Sequence, residues 1–454
     1  MPRIIRNTLL SVRDLSFSVG PFVLLAAALL YGAFLLLNPT PPKRVVLATG
    51  SDQGAYAAFG KRYQEELKPY GIEVVLRPSA GARENLRNLQ DPKSDVQIAF
   101  VQGGSSERQR STEEEKEEKE KLPVMSLGSM FYEPVWLFYR TEAAKKLNRE
   151  GVLSDFSQLR GLRVNDGIRG SGIPGIMNRL LSANLMERDD IVRSNLDLTP
   201  AVTALLGGEL DVVAMVSAPE SPLVQMLLQT PGIRLYEFAQ AEAYARRYRF
   251  LNPVTLPRGV VDLSRNVPPR NVDLVAAPCS LVARADLHPA LVQLFVQAAS
   301  RIHGGGGWIS QAGKFPTPQH TEFPLARDAE RYYRTGPPLM QRYLPFWLAN
   351  MIDRMWFALI SIIAILIPLA RMVPPIYQFR IRSRIFRWYR NLRQIEDDME
   401  RKAATPEELL AQLDKLDARA TRVMVPLAYT DELYTLRSAI GMVRKRLRNS
   451  AAPA

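Results

Sequence analysis

The sequence is poor in cysteine and histidine for its length. Its 454 residues include one cysteine, Cys279, and three histidines, His288, His303 and His320. A single thiol forms no internal disulfide, and it argues against a cysteine-based zinc site. The histidines lie far apart, outside the spacings typical of metal ligands. We therefore expect no metal centre and no cofactor.

Signatures of several common enzyme classes are also missing. The chain has no GxSxG elbow, no HExxH pair and no Walker A loop. Ser171 lies in a Gly-Ser-Gly run, but no neighbour in the sequence is a candidate general base. The sequence therefore favours a binding protein over an enzyme.

The first of two long apolar runs is Ser18–Leu37, which has 20 residues and no charge. A helix of that length spans roughly 30 Å, the thickness of a bilayer core. A secretory signal peptide is the alternative, but its apolar core would be shorter, about 7–15 residues. The Pro-rich sequence after Asn38 is also a poor cleavage site. We predict a retained membrane anchor at residues 18–37.

The second apolar run, Met355–Ala370, is bracketed by Arg354 and Arg371. Its 16 residues reach only about 24 Å, but flanking arginines can extend to the membrane surface. A buried core helix is the alternative, and such a helix usually carries a polar stripe. This run has none, so we predict a second membrane span at residues 355–373.

The distribution of arginine predicts the orientation of both spans. Basic residues are enriched on the cytoplasmic side of membrane proteins. We therefore predict a bacterial inner-membrane protein with both termini (residues 1–17 and 376–454) in the cytoplasm and residues 39–353 in the periplasm. Anionic lipid attracts such arginines, so the net charge of +13 requires no nucleic acid partner. The arginines in question are Arg3, Arg6 and Arg13 before the first run, and Arg371, Arg380, Arg382, Arg384, Arg387, Arg390 and Arg393 after the second.

Between the two runs, apolar strand-like segments alternate with helical patterns. Strands are predicted at Arg44–Ala48, Ile72–Leu76 and Val96–Val101, with helices at Ala55–Leu67 and Arg83–Leu89. This alternation predicts a mostly parallel α/β sheet. The pattern continues with strands at Pro134–Tyr139, Leu210–Met215 and Val272–Val282, and with helices at about Gly175–Met186, Val202–Gly208 and Ala290–Ala299.

We predict that residues 44–345 form two α/β lobes and that the chain crosses from one lobe to the other. The first lobe is predicted to hold residues 44–134 and 250–345, and the second to hold residues 135–249. A charged run at residues 105–121 interrupts the first lobe as a predicted solvated loop or helical excursion.

The C-terminal residues 376–454 have a helical pattern instead. Thr405-Pro-Glu-Glu408 is typical of a capped helix start. A break is predicted at Val423–Pro426, and a helix resumes at Thr430–Leu447, so we expect a helical hairpin.

Three predicted strand-to-helix junctions are rich in small and polar residues. They are Ala48–Tyr56, Pro78–Leu86 and Gly167–Gly172, and Gln102 ends the third strand. Ligands bind beyond the carboxyl ends of strands in open α/β sheets, where helix N-termini favour anions. Each junction alone is typical of an ordinary turn. Together they predict a cleft that binds a small ligand.

Those junctions resemble the TAXI group of TRAP-transporter solute receptors. The resemblance rests on Ala48-Thr-Gly…Gly54-Ala-Tyr56, Ser79-Ala-Gly…Glu84-Asn-Leu86, Asp95…Val101-Gln102, Gly170-Ser-Gly172 and Gly208-Glu-Leu-Asp211, and it covers about residues 44–325. It implies a two-lobed periplasmic-binding-protein fold, type II-like, that closes on a small organic anion. The family commonly has hydroxyl residues where Ala82 and Ile173 stand. The ligand-binding residues that the resemblance implies are Gly50, Tyr56, Ser79, Asn85, Gln102, Ser171 and Gly172.

Four functions follow from these patterns. The leading hypothesis is a membrane-anchored receptor that captures an amino acid or carboxylate for a TRAP permease. A second is a sensor that signals through residues 376–454 to a cytoplasmic partner. A scaffold that binds no solute and an envelope enzyme are the remaining alternatives.

Overall fold

The computed structural model describes residues 3–37, 40–106, 123–337, 339–401, 403–420 and 430–450. The chain forms two compact units. The larger unit contains residues 40–350, and the smaller one is formed by the chain before Thr40 and after Asn350.

Three parallel strands begin the larger unit: β1 (Arg44–Ala48), β2 (Glu73–Arg77) and β3 (Ile98–Gln102). The strands are joined by helices α2 (Ala55–Leu67) and α3 (Ala82–Gln90), and β1 lies between the other two. β1 after Arg44 and β3 before Gln102 are apolar, as is usual when helices cover both faces of a parallel sheet. Their carboxyl ends, at Ala48 and Gln102, lie at the same edge.

Two long strands connect the lobes of this unit. β4 (Val124–Arg140) pairs antiparallel with β10 (Val272–Arg284) as far as Pro134, and with β7 (Val212–Val216) from Val135 onward. The sheet partner of β4 therefore changes between adjacent residues. This change marks the passage from the first lobe to the second.

The second lobe repeats the parallel arrangement on a smaller scale. β5 (Arg163–Asn165) pairs in parallel with both β6 (Val192–Ser194) and β7. The strand order across the sheet is β2-β1-β3-β10-β4-β7-β5-β6. β8 (Ile233–Leu235) is added beside β4, and β9 (Asn252–Leu256) beside β10.

The helices of the larger unit cover both faces of the sheet. They continue in chain order as α4 (Thr141–Lys145), α5 (Ile173–Ala183), α6 (Leu198–Gly207), α7 (Pro222–Gln229), α8 (Ala241–Arg247), α9 (Pro289–His303) and α10 (Arg327–Thr335).

Each lobe has its own hydrophobic core. Trp136, Phe138 and Phe238 are fully buried in the second lobe, and Tyr63 and Phe295 are fully buried in the first. A further cluster, which includes Leu89, lies on the opposite face of the first lobe's sheet.

The predicted α/β class is confirmed: the structure has a two-lobed α/β domain, two apolar helices and a C-terminal helical segment. Helix α2 has the predicted bounds. The largest difference is β4, which is 17 residues long where only Pro134–Tyr139 was predicted as a strand. The lobe boundaries stay predictions; Val254 and Leu256 pack into the second lobe's core. The charged run at 105–121 lies outside the described residues apart from Ser105 and Ser106.

Two long apolar helices occur among the described residues. Helix α1 (Arg3–Leu37) contains the apolar stretch Ser16–Leu37, and helix α11 (Phe346–Ala370) contains one that begins at Leu348. Both stretches are long and apolar enough to cross a membrane by length and composition. Both begin earlier in the chain than the predicted runs.

Three further helices pack together in the smaller unit: α12 (Val373–Glu400), α13 (Pro406–Ala420) and α14 (Thr430–Ser450). The predicted capping box is present, because the Thr405 N–H donates to Glu408 and the Glu408 N–H donates to the Thr405 hydroxyl. The predicted hairpin was incomplete, since α12 is a third member of the bundle. The predicted break at Val423–Pro426 lies outside the described residues. The shared core contains Ile385, Leu392, Leu409, Leu413, Leu416, Leu436, Ile440, Val443 and Leu447.

Candidate functional site

A cavity lies between the two lobes of the larger unit, where several strands end. One wall comes from the segments after β1 and β2 and from the end of β3, and the other comes from the segments after β5 and β6 and from the end of β7. Its polar and glycine lining comprises Gly50, Ser51, Gly54, Tyr56, Gly81, Gln102, Glu133, Gly167, Ser171, Gly172, Asp197 and Ser217. Its apolar lining comprises Ala55, Ala80, Ala82, Ile168, Ile173, Leu196, Leu198 and Val216.

Three helices begin at this cavity with glycine in the N-cap position. Gly54 precedes α2, Gly81 precedes α3 and Gly172 precedes α5, and none of these glycines can supply a side-chain cap. The first N–H groups of a helix have no partner inside the helix and carry partial positive charge. The cavity therefore offers backbone donors suited to a carboxylate or another small anion.

The floor of the cavity carries one buried carboxyl group. Glu133 is 2% exposed, and its Oε2 accepts hydrogen bonds from the Tyr56 hydroxyl at 2.8 Å and from Gln102 Nε2 at 3.3 Å. Burial raises the pKa of the Glu133 carboxyl to about 8, although both hydrogen bonds act to lower it. Glu133 is therefore mostly protonated at neutral pH.

The neighbours of Glu133 are neutral as well. Burial raises the pKa of the Tyr56 hydroxyl and of the Cys279 thiol well above their usual values. Glu133 is thus the group in this cluster whose charge changes near physiological pH.

Five of the seven predicted ligand-binding residues line the cavity: Gly50, Tyr56, Gln102, Ser171 and Gly172. The Ser171 hydroxyl donates to the carbonyl of Ile168 at 2.8 Å. Its hydrogen is thus engaged, and its lone pairs remain for a ligand.

Ser79 and Asn85 are absent from the lining and connect backbone segments instead. The Asn85 Nδ2 donates to the carbonyls of Thr49 at 2.6 Å and Phe100 at 2.9 Å. The Ser79 hydroxyl bonds to the Thr49 carbonyl and to Asn85 Oδ1. Asn85 is fully buried, so these two residues fix the ends of β1 and β3 relative to α3.

The two lobes touch across the cavity. The Glu84 N–H donates to the carbonyl of Gly170 at 3.1 Å, and the Thr199 hydroxyl donates to Gln53 Oε1 at 2.6 Å. Gly172 is required for this approach, since a Cβ atom there would lie 1.9 Å from Gln102 Oε1. Direct hydrogen bonds therefore join the two lobes beside the cavity.

Glu133 and Gly81 were missed by the sequence analysis. Gly81 has a φ of +131°, which disfavours any residue with a Cβ atom. The sequence does carry a signal for Glu133, because it is the only charged residue between Val124 and Tyr139, a largely apolar stretch. A charged side chain within a buried strand usually has a specific role or partner.

The sequence profile of the NMT1-like family matches residues 47–334. The chain belongs to the NMT1-like family. The matched range contains most of both lobes and every residue that lines the cavity. The narrower relation to TAXI receptors stays a prediction. No curated protein matches the chain.

The solved structures that align with this chain have low sequence identity to it. The alkanesulfonate-binding protein SsuA from Xanthomonas axonopodis pv. citri is 12% identical, with a TM-score of 0.35. The alignment covers 59% of this chain and 75% of that protein. The aliphatic sulphonate binding protein SsuA from Escherichia coli is 12% identical, with a TM-score of 0.34, covering 71% and 83%. The CcmR regulatory domain from Synechocystis, in complex with 2-PG, is 12% identical, with a TM-score of 0.36, covering 57% and 97%.

Proposed function

We propose that this NMT1-like protein is a membrane-anchored solute receptor. The interlobe cavity captures a small organic anion, an amino acid or a carboxylate, and presents it to a TRAP-type permease, as the resemblance to TAXI receptors implies. The observation that carries the proposal is the cavity itself, where three helix N-termini and the buried amide of Gln102 meet between the two lobes. We assign the chain as the receptor and a separate protein as the permease, because the two long apolar helices among the described residues do not enclose a transport path.

A thermal-shift screen of the purified full-length protein in detergent tests ligand capture. A ligand at ~100 times its dissociation constant adds roughly 2.7 kcal/mol to the stability of the binding form. We expect a shift with some amino acids or small carboxylates, and its loss in Gln102→Ala and Ser171→Ala. Ser154→Ala, an exposed serine outside the cavity, should respond like the parent protein. Absence of a shift with every compound would refute the receptor function.

Membrane orientation is a second part of the proposal. The arginines at residues 371–393 favour cytoplasmic termini in a bacterial inner membrane, with the two-lobed domain in the periplasm. Cys279 is buried, so an introduced cysteine can be labelled over a low background. In spheroplasts, a membrane-impermeant maleimide should label Glu209→Cys, whereas Lys415→Cys should react only after lysis. The reverse pattern would invert the orientation.

A sensor function remains the second candidate, and the bundle of α12, α13 and α14 favours it. These helices share a buried core, which gives a folded surface for a partner protein. Affinity capture of the full chain should then retain a cytoplasmic protein that is lost when residues 406–454 are deleted. Identical captures with and without those residues would exclude this function.

A further inference from the structure

The orientation of the hydrogen bonds around Glu133 indicates what the cavity recognises. Tyr56 and Gln102 both donate, and both bonds end on the same oxygen, Oε2. Oε1 accepts no hydrogen bond from the described residues, and Glu133 lines the cavity. Two donors on one carboxyl oxygen stabilise the ionised form, which leaves Oε1 as an acceptor toward the ligand.

Positive polarity is present in the same cavity. The N-termini of α2, α3 and α5, at Gly54, Gly81 and Gly172, supply partial positive charge and backbone N–H donors. The second lining carboxyl, Asp197, is exposed at the start of α6, where it accepts the N–H of Leu198. Glu133 is therefore the buried acidic group of this cavity, and Gln102, which donates to it, also lies against Gly172 at the N-terminus of α5.

We infer that the cavity selects a zwitterion, namely an α-amino acid. Its carboxylate accepts hydrogen bonds from the helix N–H groups, and its ammonium group pairs with Oε1 of Glu133. This inference rests on the proposed receptor function and assigns Glu133 as the specificity-determining residue. A buried carboxyl is stabilised by a cationic partner, whereas a ligand without the amino group leaves it unpaired. Apolar walls at Ile168, Leu198 and Val216 accommodate the remainder of the ligand.

Proton release is the measurable consequence of this pairing. Before binding, Glu133 holds a proton because burial raises its pKa to about 8. The incoming ammonium group favours the carboxylate, so the proton leaves to solvent and the ion pair forms. Tyr56 and Cys279, the titratable groups packed against Glu133 from α2 and β10, stay neutral. At about pH 7 the expected release is roughly 0.9 proton per ligand.

Isothermal titration calorimetry of the full-length protein in detergent tests the inference. The probes are matched pairs that differ by the amino group: L-leucine with 4-methylpentanoate, and L-glutamate with glutarate. Titration in phosphate and in Tris, whose ionisation enthalpies differ, counts the protons released. Within the pair that binds, we expect the amino acid to bind at least about tenfold more tightly than the analogue without the amino group. Binding of the amino acid should also release protons.

The variant Glu133→Gln keeps the shape of the side chain and its acceptor oxygen, but it cannot ionise. It should weaken amino acid binding at least about tenfold, abolish proton release and remove the preference within the pair. Glu73→Gln, at an exposed carboxylate that begins β2, is the matched control and should leave all three values unchanged.

The outcomes separate this inference from the receptor function. Equal binding of both members of a pair without proton release would overturn the zwitterion inference and leave the receptor standing. Equal binding of an amine that lacks the carboxylate, such as 3-methylbutylamine, would also overturn it. If no probe binds, the proposed function fails and the inference fails with it.

Discussion

Replacing Glu133 by glutamine should stabilise the protein, and more so at alkaline pH. The native pKa is raised from 4.5 to about 8, so ionisation of Glu133 is costly in the folded state. A group whose pKa is higher in the folded state than in the unfolded state favours folding at low pH. This stabilisation is lost as the pH rises through the pKa of the folded state. At 1.36 kcal/mol per pKa unit, the full cost of ionisation is roughly 5 kcal/mol.

The size of the expected change can be worked out between two pH values. Relative to the unfolded chain, Glu133 destabilises the protein by roughly 1 kcal/mol at about pH 5.5 and by roughly 4 to 5 kcal/mol at about pH 8.5. Glutamine at this position can still accept the bonds from Tyr56 and Gln102. The advantage of Glu133→Gln over the parent should therefore grow by about 3 kcal/mol between these conditions, equivalent to roughly 6 °C in Tm.

Differential scanning fluorimetry of the full-length protein in detergent, without added ligand, measures this difference. Glu73→Gln again serves as the control, since an exposed carboxylate should give no pH-dependent advantage. A Tm for Glu133→Gln that is equal to the parent's at both pH values, or lower, would refute the reasoning that Glu133 is buried and protonated.

Three further changes have definite expected outcomes. Asn85→Ala removes the buried hydrogen bonds to the carbonyls of Thr49 and Phe100 and should cost about 3 kcal/mol in chemical denaturation, whereas Asn88→Ala should cost little. Gly172→Ala places a Cβ atom against Gln102 Oε1 and should weaken ligand binding at least about tenfold in calorimetry. Gly175→Ala meets only the mobile end of Arg83, so it should bind ligand normally. Leu413→Ala opens the core of the C-terminal bundle at a cost of about 2–5 kcal/mol, so limited proteolysis should cleave residues 406–420 faster than in Lys415→Ala.

The regular part of the fold could be predicted because its strands and helices have clear periodicities. Apolar runs such as Arg44–Ala48 and helical patterns such as Ala55–Leu67 are decided locally. β4 is different, because Ser126, Ser129 and Glu133 interrupt its apolar pattern. These polar groups are buried and bonded to distant segments; the Ser129 hydroxyl, for example, donates to the carbonyl of Gln319. Local patterns contain no information on such contacts.

The candidate site was only partly predictable for a related reason. Small and polar residues at strand-to-helix junctions can contact a ligand or a backbone carbonyl, and their type does not distinguish the two. Gln102 lines the cavity, whereas Asn85 bonds to the backbone behind it. Glu133 lies far along the chain from these junctions, on a strand that reaches the cavity only through its pairing with β10.

The change of sheet partner at Pro134 places Glu133 beside the strands that both lobes share. If one lobe rotated against the other about those strands, Glu133 would lie beside the axis of rotation. A group beside an axis moves little during rotation, whereas Ser171 and Gly172, which lie on the second lobe, travel further. A solute would therefore meet Glu133 at nearly the same position whether the lobes stand apart or together. The contacts made by the N-terminus of α5 would be added only on closure, so initial selection and retention would depend on different residues.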